Sequence, residues 1–300
     1  MKKVVLIFPG QGSQYVGMGK SLEGHPSFNL LDEANKGLGY NLSQIMLEGP
    51  ESDLTLTQNT QPAILTYSIG LFQKAKEILD EAGIEIDAVL GHSVGEYPAL
   101  VAAGALTFED ALKSVHNRGK YMQAAVPAGM GKMYAILRIP ADIVEQACKE
   151  SSTQDCEVMP ANFNEPGQIV ISGSNAGVDI ACEKLTKAGA RRALKLNVGG
   201  AFHSPLMEPA KLELEEAIHA TTVSKPICPI YQNVTGQVVS NPDIIKSNLI
   251  AQLTAPVKWT QTVNQMLRDG ATSFTEVGPG RVLCGLIKKV NRQVETSSEG

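Results

Sequence analysis

Gly91-His92-Ser93-Val94-Gly95 sets a serine between two glycines, at the junction of an apolar run, Asp87-Ala88-Val89-Leu90, and the segment Glu96-Tyr97-Pro98-Ala99-Leu100-Val101-Ala102-Ala103. The run reads as the end of a buried strand, and the segment as a helix whose proline still lies in its first turn, where no intrahelical N–H is lost. Passing from strand to helix in so few residues demands a sharp bend at Ser93. The glycines permit that crowded turn, which pushes the hydroxyl outward and aims backbone N–H groups at whatever it attacks. The pattern alone recurs by chance in roughly one chain of this length in ten, so its context has to carry the reading.

Strand-like and helix-like patterns alternate around it: Val4 to Phe8, a helix around Gln61 to Leu79, Asp87 to Leu90, and helices after Ser93 and Thr107. This is the rhythm of an α/β sheet with crossover helices. Between about Gly129 and Val198 the order becomes strand Met133–Ile139, helix Ala141–Lys149, strands Val158–Asn162 and Gln168–Ser172, helix Asn175–Ala188 and strand Arg192–Leu196. That βαββαβ order is the ferredoxin-like split unit, expected here as a subdomain over residues 129–198 inserted in a larger α/β body, residues 1–128 and 199–300. The body is expected to end near Val290, leaving a polar, frayed tail from Val294. A cleft between two such bodies is a common place for a ligand.

The 300 residues, 43% of them apolar, are enough to bury an ample core. With 26 Lys and Arg against 31 Asp and Glu, and no long run of either sign, neither a nucleic-acid groove nor a membrane-surface helix is expected. The apolar stretch after Met1-Lys2-Lys3 ends at Pro9-Gly10, so it reads as a first strand rather than a signal peptide. Five widely spaced cysteines, with no C-x-x-C pair and no histidine at ligand spacing, point to a reducing cytoplasm and no metal site.

A serine nucleophile needs a base, and there are five histidines. His92 adjoins Ser93, so its side chain is expected to point away; His116 and His219 fall within helical patterns. His203 lies in Gly199-Gly200-Ala201-Phe202-His203-Ser204-Pro205, a loop with Ser204 as N-cap and Pro205 at the first helical position. It is either a base presented from rigid elements or a histidine bonded to local backbone. Arg118 sits within the apolar stripe of Ala111, Val115 and Met122, on a helix opened by Thr107 and Asp110. An inward arginine must find a partner, because an unpaired buried charge is very costly. A structural carboxylate and an anionic substrate both satisfy that need. Phe8-Pro9-Gly10-Gln11-Gly12-Ser13-Gln14 is a glycine-rich turn after the first strand, but the dinucleotide pattern fails at Tyr15 and the triphosphate loop fails at Gln14. What remains is a loop whose N–H groups can face a charge developing near Ser93.

These residues resemble the malonyl-CoA:acyl carrier protein transacylases of fatty acid synthesis and the related acyltransferases of polyketide synthases. The likeness runs through Phe8 to Gln14, Gly91 to Glu96, Arg118-Gly119 with Met122-Gln123, Asn162-Phe163-Asn164-Glu165-Pro166-Gly167-Gln168, Gly200 to Met207, Gln252-Leu253 with Pro256-Val257-Lys258-Trp259, and Glu276-Val277-Gly278-Pro279-Gly280. The resemblance implies a hydrolase-like α/β core with a ferredoxin-like insert. It implies that Ser93 is the nucleophile, His203 its general base, and the backbone carbonyl of Gln252 the group that orients the histidine. Backbone N–H groups of Gln11 and Val94 would form the oxyanion hole, and Arg118 would pair with the free carboxylate of a malonyl group. Asn162, Phe202 and His92 would line the pocket, Phe202 crowding any α-methyl branch, as Ala-Phe-His does in malonyl users. Lys132 and Tyr134 depart from the small residues usual there, which bears on pocket size and carrier preference.

The substrates so implied are malonyl-CoA and phosphopantetheinylated acyl carrier protein, with no cofactor held permanently and a monomeric, cytoplasmic enzyme. An acidic carrier would meet a basic rim, for which Arg191, Arg192 and Lys195 are candidates. The alternatives are an acyltransferase serving polyketide synthase modules in trans and a serine thioesterase or hydrolase. The last would need an acid, and none of Asp110, Asp142, Asp155 or Asp179 lies in a motif suited to that part.

Overall fold

The computed structural model describes residues 3–126, 129–154 and 156–300. The readings that touch Met1 and Lys2, the boundary at 128, and Asp155 lie outside the described residues.

Ten strands are found among the described residues: β1 Lys3–Phe8, β2 Glu85–Gly91, β3 Gly131–Leu137, β4 Val158–Glu165, β5 Gln168–Ser174, β6 Arg192–Lys195, β7 Ile230–Tyr231, β8 Val238–Val239, β9 Ser273–Val277 and β10 Glu295–Glu299. The first sheet has the order β10-β9-β1-β2-β7-β8 and is parallel except for the terminal β7–β8 pair. Its helices are α1 Asn29–Leu38, α2 Leu42–Glu48, α3 Glu51–Thr55, α4 Thr57–Glu81, α5 Glu96–Ala102 and α6 Phe108–Ala125. After the second sheet's α7 Ala141–Ser151 and α8 Asn175–Lys187 come α9 Glu208–Ala220, α10 Pro242–Ala251, α11 Trp259–Arg268 and α12 Val282–Val290.

β1 shows why this sheet is covered on both faces. Successive side chains of a strand point to opposite sides, and Val4, Leu6 and Phe8 join one apolar core while Val5 and Ile7 join the other. Such a strand reads as a continuous apolar run, as parallel strands between helices do.

The second sheet, β4-β5-β3-β6, is antiparallel throughout and is followed along the chain as β3-α7-β4-β5-α8-β6. One of its faces packs on α7 and α8 around Ile136, Val144, Ile171, Val178 and Leu185. The other carries Met133, Ala135, Ala161 and Val170 into the core of the larger body. The mixed architecture expected from periodicity is therefore the one observed.

The tail differs from expectation. Glu295–Glu299 is not frayed but pairs in parallel with Ser273–Val277 along its whole length. An edge strand is held by main-chain bonds and needs no apolar face toward solvent, so its polar sequence hid it. Cys284 Sγ donates to Ser297 O, and the Thr275 and Ser297 hydroxyls lie 2.8 Å apart. Ser204 also differs: it stands before Pro205, but its hydroxyl donates to Ala201 O at 2.6 Å and caps no N–H of the turn Pro205–Met207 that precedes α9.

Candidate active site

β1, β2 and β7 end side by side, and the bend after β2 carries Ser93 to that edge of the sheet. A Cβ on Gly91 would come within 1.9 Å of the Gly95 carbonyl, and one on Gly95 within 2.2 Å of Phe8 O. No side chain fits at either flank. Ser93 itself has φ of 54°, a backbone region that costs an ordinary residue about 1–3 kcal/mol. The turn Ser93–Gly95 then feeds straight into α5.

His203, on the loop before α9, places Nε2 2.8 Å from Ser93 Oγ. Its Nδ1 lies 2.8 Å from the main-chain oxygen of Gln252. A carbonyl can only accept, so Nδ1 carries the proton and Nε2 is the bare nitrogen facing the serine hydroxyl. Burial, reinforced by the Arg118 charge, holds the imidazole down at about 3, so it is neutral near pH 7 and free to take a proton.

Arg118, on α6, is 1% exposed. Its guanidinium donates to Gln61 Oε1 at 2.8 Å, to Gln252 Oε1 at 2.8 Å and to Ser93 Oγ at 3.1 Å, while Nε is buried with no acceptor. Each of the three acceptors is neutral. Among the described residues no carboxylate forms an ion pair with it. Glu96 is also buried, and burial pushes its carboxyl up to about 8, so it does not supply a full countercharge near pH 7. A buried guanidinium without an anion, hydrogen-bonded to a serine, is the electrostatic signature of a place for an anionic group.

A cavity of about 140 Å³ opens at these groups, lined by Gln11, His92, Ser93, Val94, Arg118, Met122, Met133, Asn162, Asn164, Val170, Leu196, Val198, Phe202 and His203. The main-chain N–H groups of Gln11 and Val94 donate to no other group among the described residues. Asn162 sits where β4 bridges to Val257, and Phe202 packs beside His203 with 5% exposure. His92 corrects an expectation. Its backbone is extended, with φ −94° and ψ 113°, so its side chain leaves on a different bearing from that of Ser93, but that bearing follows the cleft wall. Its Nε2 meets Asn164 Oδ1 at 2.9 Å, and the ring lies 5.5 Å from that of Trp259.

Lys132 and Tyr134 stay out of the cavity. On β3 it is Met133 that faces the serine, and the flanking residues turn to the opposite side. There Lys132 pairs with Asp179 of α8 and lies over the Tyr134 ring. Arg191, Arg192 and Lys195 are exposed. His116 and His219 lie on α6 and α9, far in chemistry from the site: the first faces Gln58 O, the second Glu215.

Four polar residues of the site escaped sequence reasoning. Gln61 and Asn164 had a signal in hindsight, an amide inside the apolar run of α4 and an Asn on a strand turned to the cleft. Glu96 was part of a quoted motif without a part to play. Asn233 had none, since it meets Ser93 across 140 positions of chain.

The chain matches the family described as acyl transferase domain over residues 5–299. It is 47% identical over 298 residues to a malonyl CoA-acyl carrier protein transacylase of Bacillus subtilis (strain 168), covering 99% of this chain and 93% of that one. Its fold overlays an acyl carrier protein S-malonyltransferase from Vibrio cholerae with a TM-score of 0.93 at 40% identity, covering 99% and 96% of the two chains. A malonyl-transacylase solved in complex with its type II polyketide synthase acyl-carrier protein overlays with 0.92 at 38% identity, covering 99% and 95%. With a family match over nearly its whole length, this chain belongs to the acyl transferase domain family.

Proposed function

We propose that this chain transfers a malonyl group from malonyl-CoA to the phosphopantetheine thiol of an acyl carrier protein, through a malonyl ester on Ser93. The observation that carries the reading is the buried Arg118 guanidinium, which has no anionic partner and lies 3.1 Å from the serine oxygen. A malonyl group ends in a carboxylate, and at that distance its thioester carbonyl reaches Ser93 while the carboxylate reaches Arg118.

In the first half-reaction Ser93 Oγ attacks the thioester carbon and its proton passes to His203 Nε2. The carbonyl of Gln252 holds the imidazole by Nδ1 and stabilises the imidazolium in the place an aspartate takes elsewhere. The oxyanion of the tetrahedral intermediate faces the N–H groups of Gln11 and Val94, each worth about 3 kcal/mol in such a position. As the intermediate collapses, His203 returns the proton to the departing CoA sulfur. In the second half-reaction the carrier's pantetheine thiol gives its proton to His203 and attacks the serine ester, and Ser93 leaves with that proton. Asn162, His92 and Phe202 shape the space around the acyl group.

The same reading includes a catalytic body of residues 1–128 and 199–300 with a subdomain of residues 129–198, supported by the separate apolar core under the second sheet. It includes a monomeric, cytoplasmic enzyme, and no cofactor held between turnovers, since His203 moves the proton in both half-reactions and the chain's own main-chain and side-chain groups make the hydrogen bonds. A polyketide carrier is the second acceptor to test, favoured by the overlay on the malonyl-transacylase solved with one.

The test is to incubate the chain with malonyl-CoA alone and map the modified peptide by mass spectrometry, beside Ser93→Ala. A malonyl ester on Ser93 that moves to added pantetheinylated carrier is the expected result. Loading that is lost to water would make the chain a hydrolase, and no loading would overturn the acyl donor.

A further inference from the structure

Asn233 lines none of the cavity, yet its side chain touches both sides of the bend that presents Ser93. Its Nδ2 donates to Gly91 O at 2.7 Å, and its Oδ1 accepts the Ser93 N–H at 2.7 Å. The orientation of the amide is fixed, since an N–H can face only the oxygen and a carbonyl only the nitrogen. The position has a simple origin. β2 pairs with β7 through Val89↔Ile230 and Leu90↔Tyr231, after which the β7 chain turns away. Beyond that point the Asn233 side chain makes the two bonds that a further strand residue would have made.

The residue that carries this amide is held by its main chain. Asn233 is fully buried, its main-chain N–H donates to Glu96 Oε1, and its main-chain carbonyl accepts from Lys258 N at 3.1 Å. Glu96 opens α5, directly after the bend, so the clamp returns to the chain three residues past Ser93. Ser93 needs such support because its φ of 54° is a conformation the local sequence does not favour.

We propose that Asn233 is a positioning residue for the nucleophile: its side-chain amide clamps Gly91 and Ser93 from both sides of the bend, and Glu96, by accepting the Asn233 main-chain N–H, holds the residue in register. The bend then keeps Ser93 Oγ 2.8 Å from His203 Nε2 and leaves Val94 at the cavity wall, its N–H donating to no other group among the described residues. Glu96 serves as an acceptor, a part that a neutral amide oxygen also fills.

The proposal rests on Ser93 being the nucleophile, so the test reads the reactivity of that serine without malonyl-CoA. An alkyl fluorophosphonate labels an activated serine as Oγ attacks phosphorus, fluoride leaves and His203 takes the proton. The labelled peptide is mapped and its rate measured in the wild-type chain and in Asn233→Ala, with circular dichroism and thermal melting as checks on folding. We expect labelling of Asn233→Ala to slow by about 10- to 100-fold, the loss typical of a reactive group displaced by an ångström. With malonyl-CoA as substrate, kcat should fall similarly while KM stays within about twofold, because Asn233 does not line the cavity.

If wild-type Ser93 is not labelled, the nucleophile reading falls and the clamp with it. If Ser93 is labelled equally fast in the folded Asn233→Ala, the clamp alone falls. Should Asn233→Ala not fold, Glu96→Ala against Glu96→Gln decides: the clamp requires Gln to label at least about threefold faster than Ala, since only Gln keeps an acceptor for the Asn233 N–H. Equal rates in the two would overturn it.

Discussion

Arg118 Nη2 donates to Ser93 Oγ at 3.1 Å, so the cation that the acyl carboxylate would meet is already hydrogen-bonded to the serine proposed as nucleophile. The same oxygen faces His203 Nε2 at 2.8 Å, with the serine proton between them. One hydroxyl is thus held by a donor and an acceptor at once, which fixes its lone pairs as well as its proton. The guanidinium in turn is held by the amide oxygens of Gln61 and Gln252, neutral groups that position it without cancelling its charge.

Arg118→Ala should lower malonyl loading by about 100-fold or more, as losing one partner of a buried charge pair costs about 2–5 kcal/mol. Acetyl loading should fall far less, so the malonyl-to-acetyl ratio is the diagnostic. Arg118→Lys should not restore it, since an ammonium cannot span Gln61, Gln252 and an incoming carboxylate with a planar fork. Loading assays with both acyl-CoA donors check this, and an unchanged malonyl preference would remove Arg118 from the site.

Gln252 acts in two ways, by main chain on His203 and by side chain on Arg118 and on the Ser93 carbonyl, to which its Nε2 donates at 3.2 Å. Gln252→Ala keeps the carbonyl and deletes the amide, which separates the two parts. We expect the malonyl-CoA KM to rise by about tenfold, one hydrogen bond to a charged group being worth about 1.5–3 kcal/mol. The acid limb of the pH–rate profile should not move, because the histidine keeps its acceptor. A shift of that limb would mean that the carbonyl itself had moved.

Ser93, His203 and Arg118 were legible because each broke a local rule: a serine between glycines at a strand end, a histidine on a loop before a helix, a cation within an apolar stripe. The order of strands and helices was legible from periodicity for β1, β2, the helices beside them and the whole second sheet, whereas β7, β8 and the helices between Asn29 and Thr55 were not read. What stayed hidden had no local signature. The grip of the Gln252 side chain on Arg118 spans 134 positions, and Asn233 meets Ser93 across 140. β10 was missed for the opposite reason, its polar sequence being that of an edge strand held by backbone alone.

Two buried groups give stability a pH dependence of opposite sign. The unfolded chain protonates His203 near pH 6.5, whereas the folded chain resists until about pH 3. The unfolded state therefore binds more protons between these values, and stability falls as pH drops through that window, by about 1.4 kcal/mol per unit for one such group. Glu96 is the reverse: its folded carboxyl keeps its proton up to about pH 8 while the unfolded one loses it near 4.5, so its contribution is lost as pH rises between them. Urea unfolding of wild type and Glu96→Gln from pH 5 to 8 should show the difference, wild type losing stability relative to the variant with each unit. Parallel curves would mean that Glu96 is already ionised in the folded chain.

Phe202 lines the cavity of about 140 Å³ beside His203. A methyl branch on the α-carbon would be excluded by contact rather than by charge, and one methyl or methylene in an apolar pocket is worth about 1–3 kcal/mol of discrimination. Phe202→Ser should therefore raise the methylmalonyl-to-malonyl loading ratio by about 10- to 200-fold, most of it from faster methylmalonyl loading. The substitution also removes a buried ring, at a cost on the order of 3–5 kcal/mol, so loading has to be measured well below the variant's Tm. Competition between the two acyl-CoA donors, read as the mass of the ester on Ser93, separates the effects: lost stability lowers both esters alike, and only a widened pocket changes their ratio.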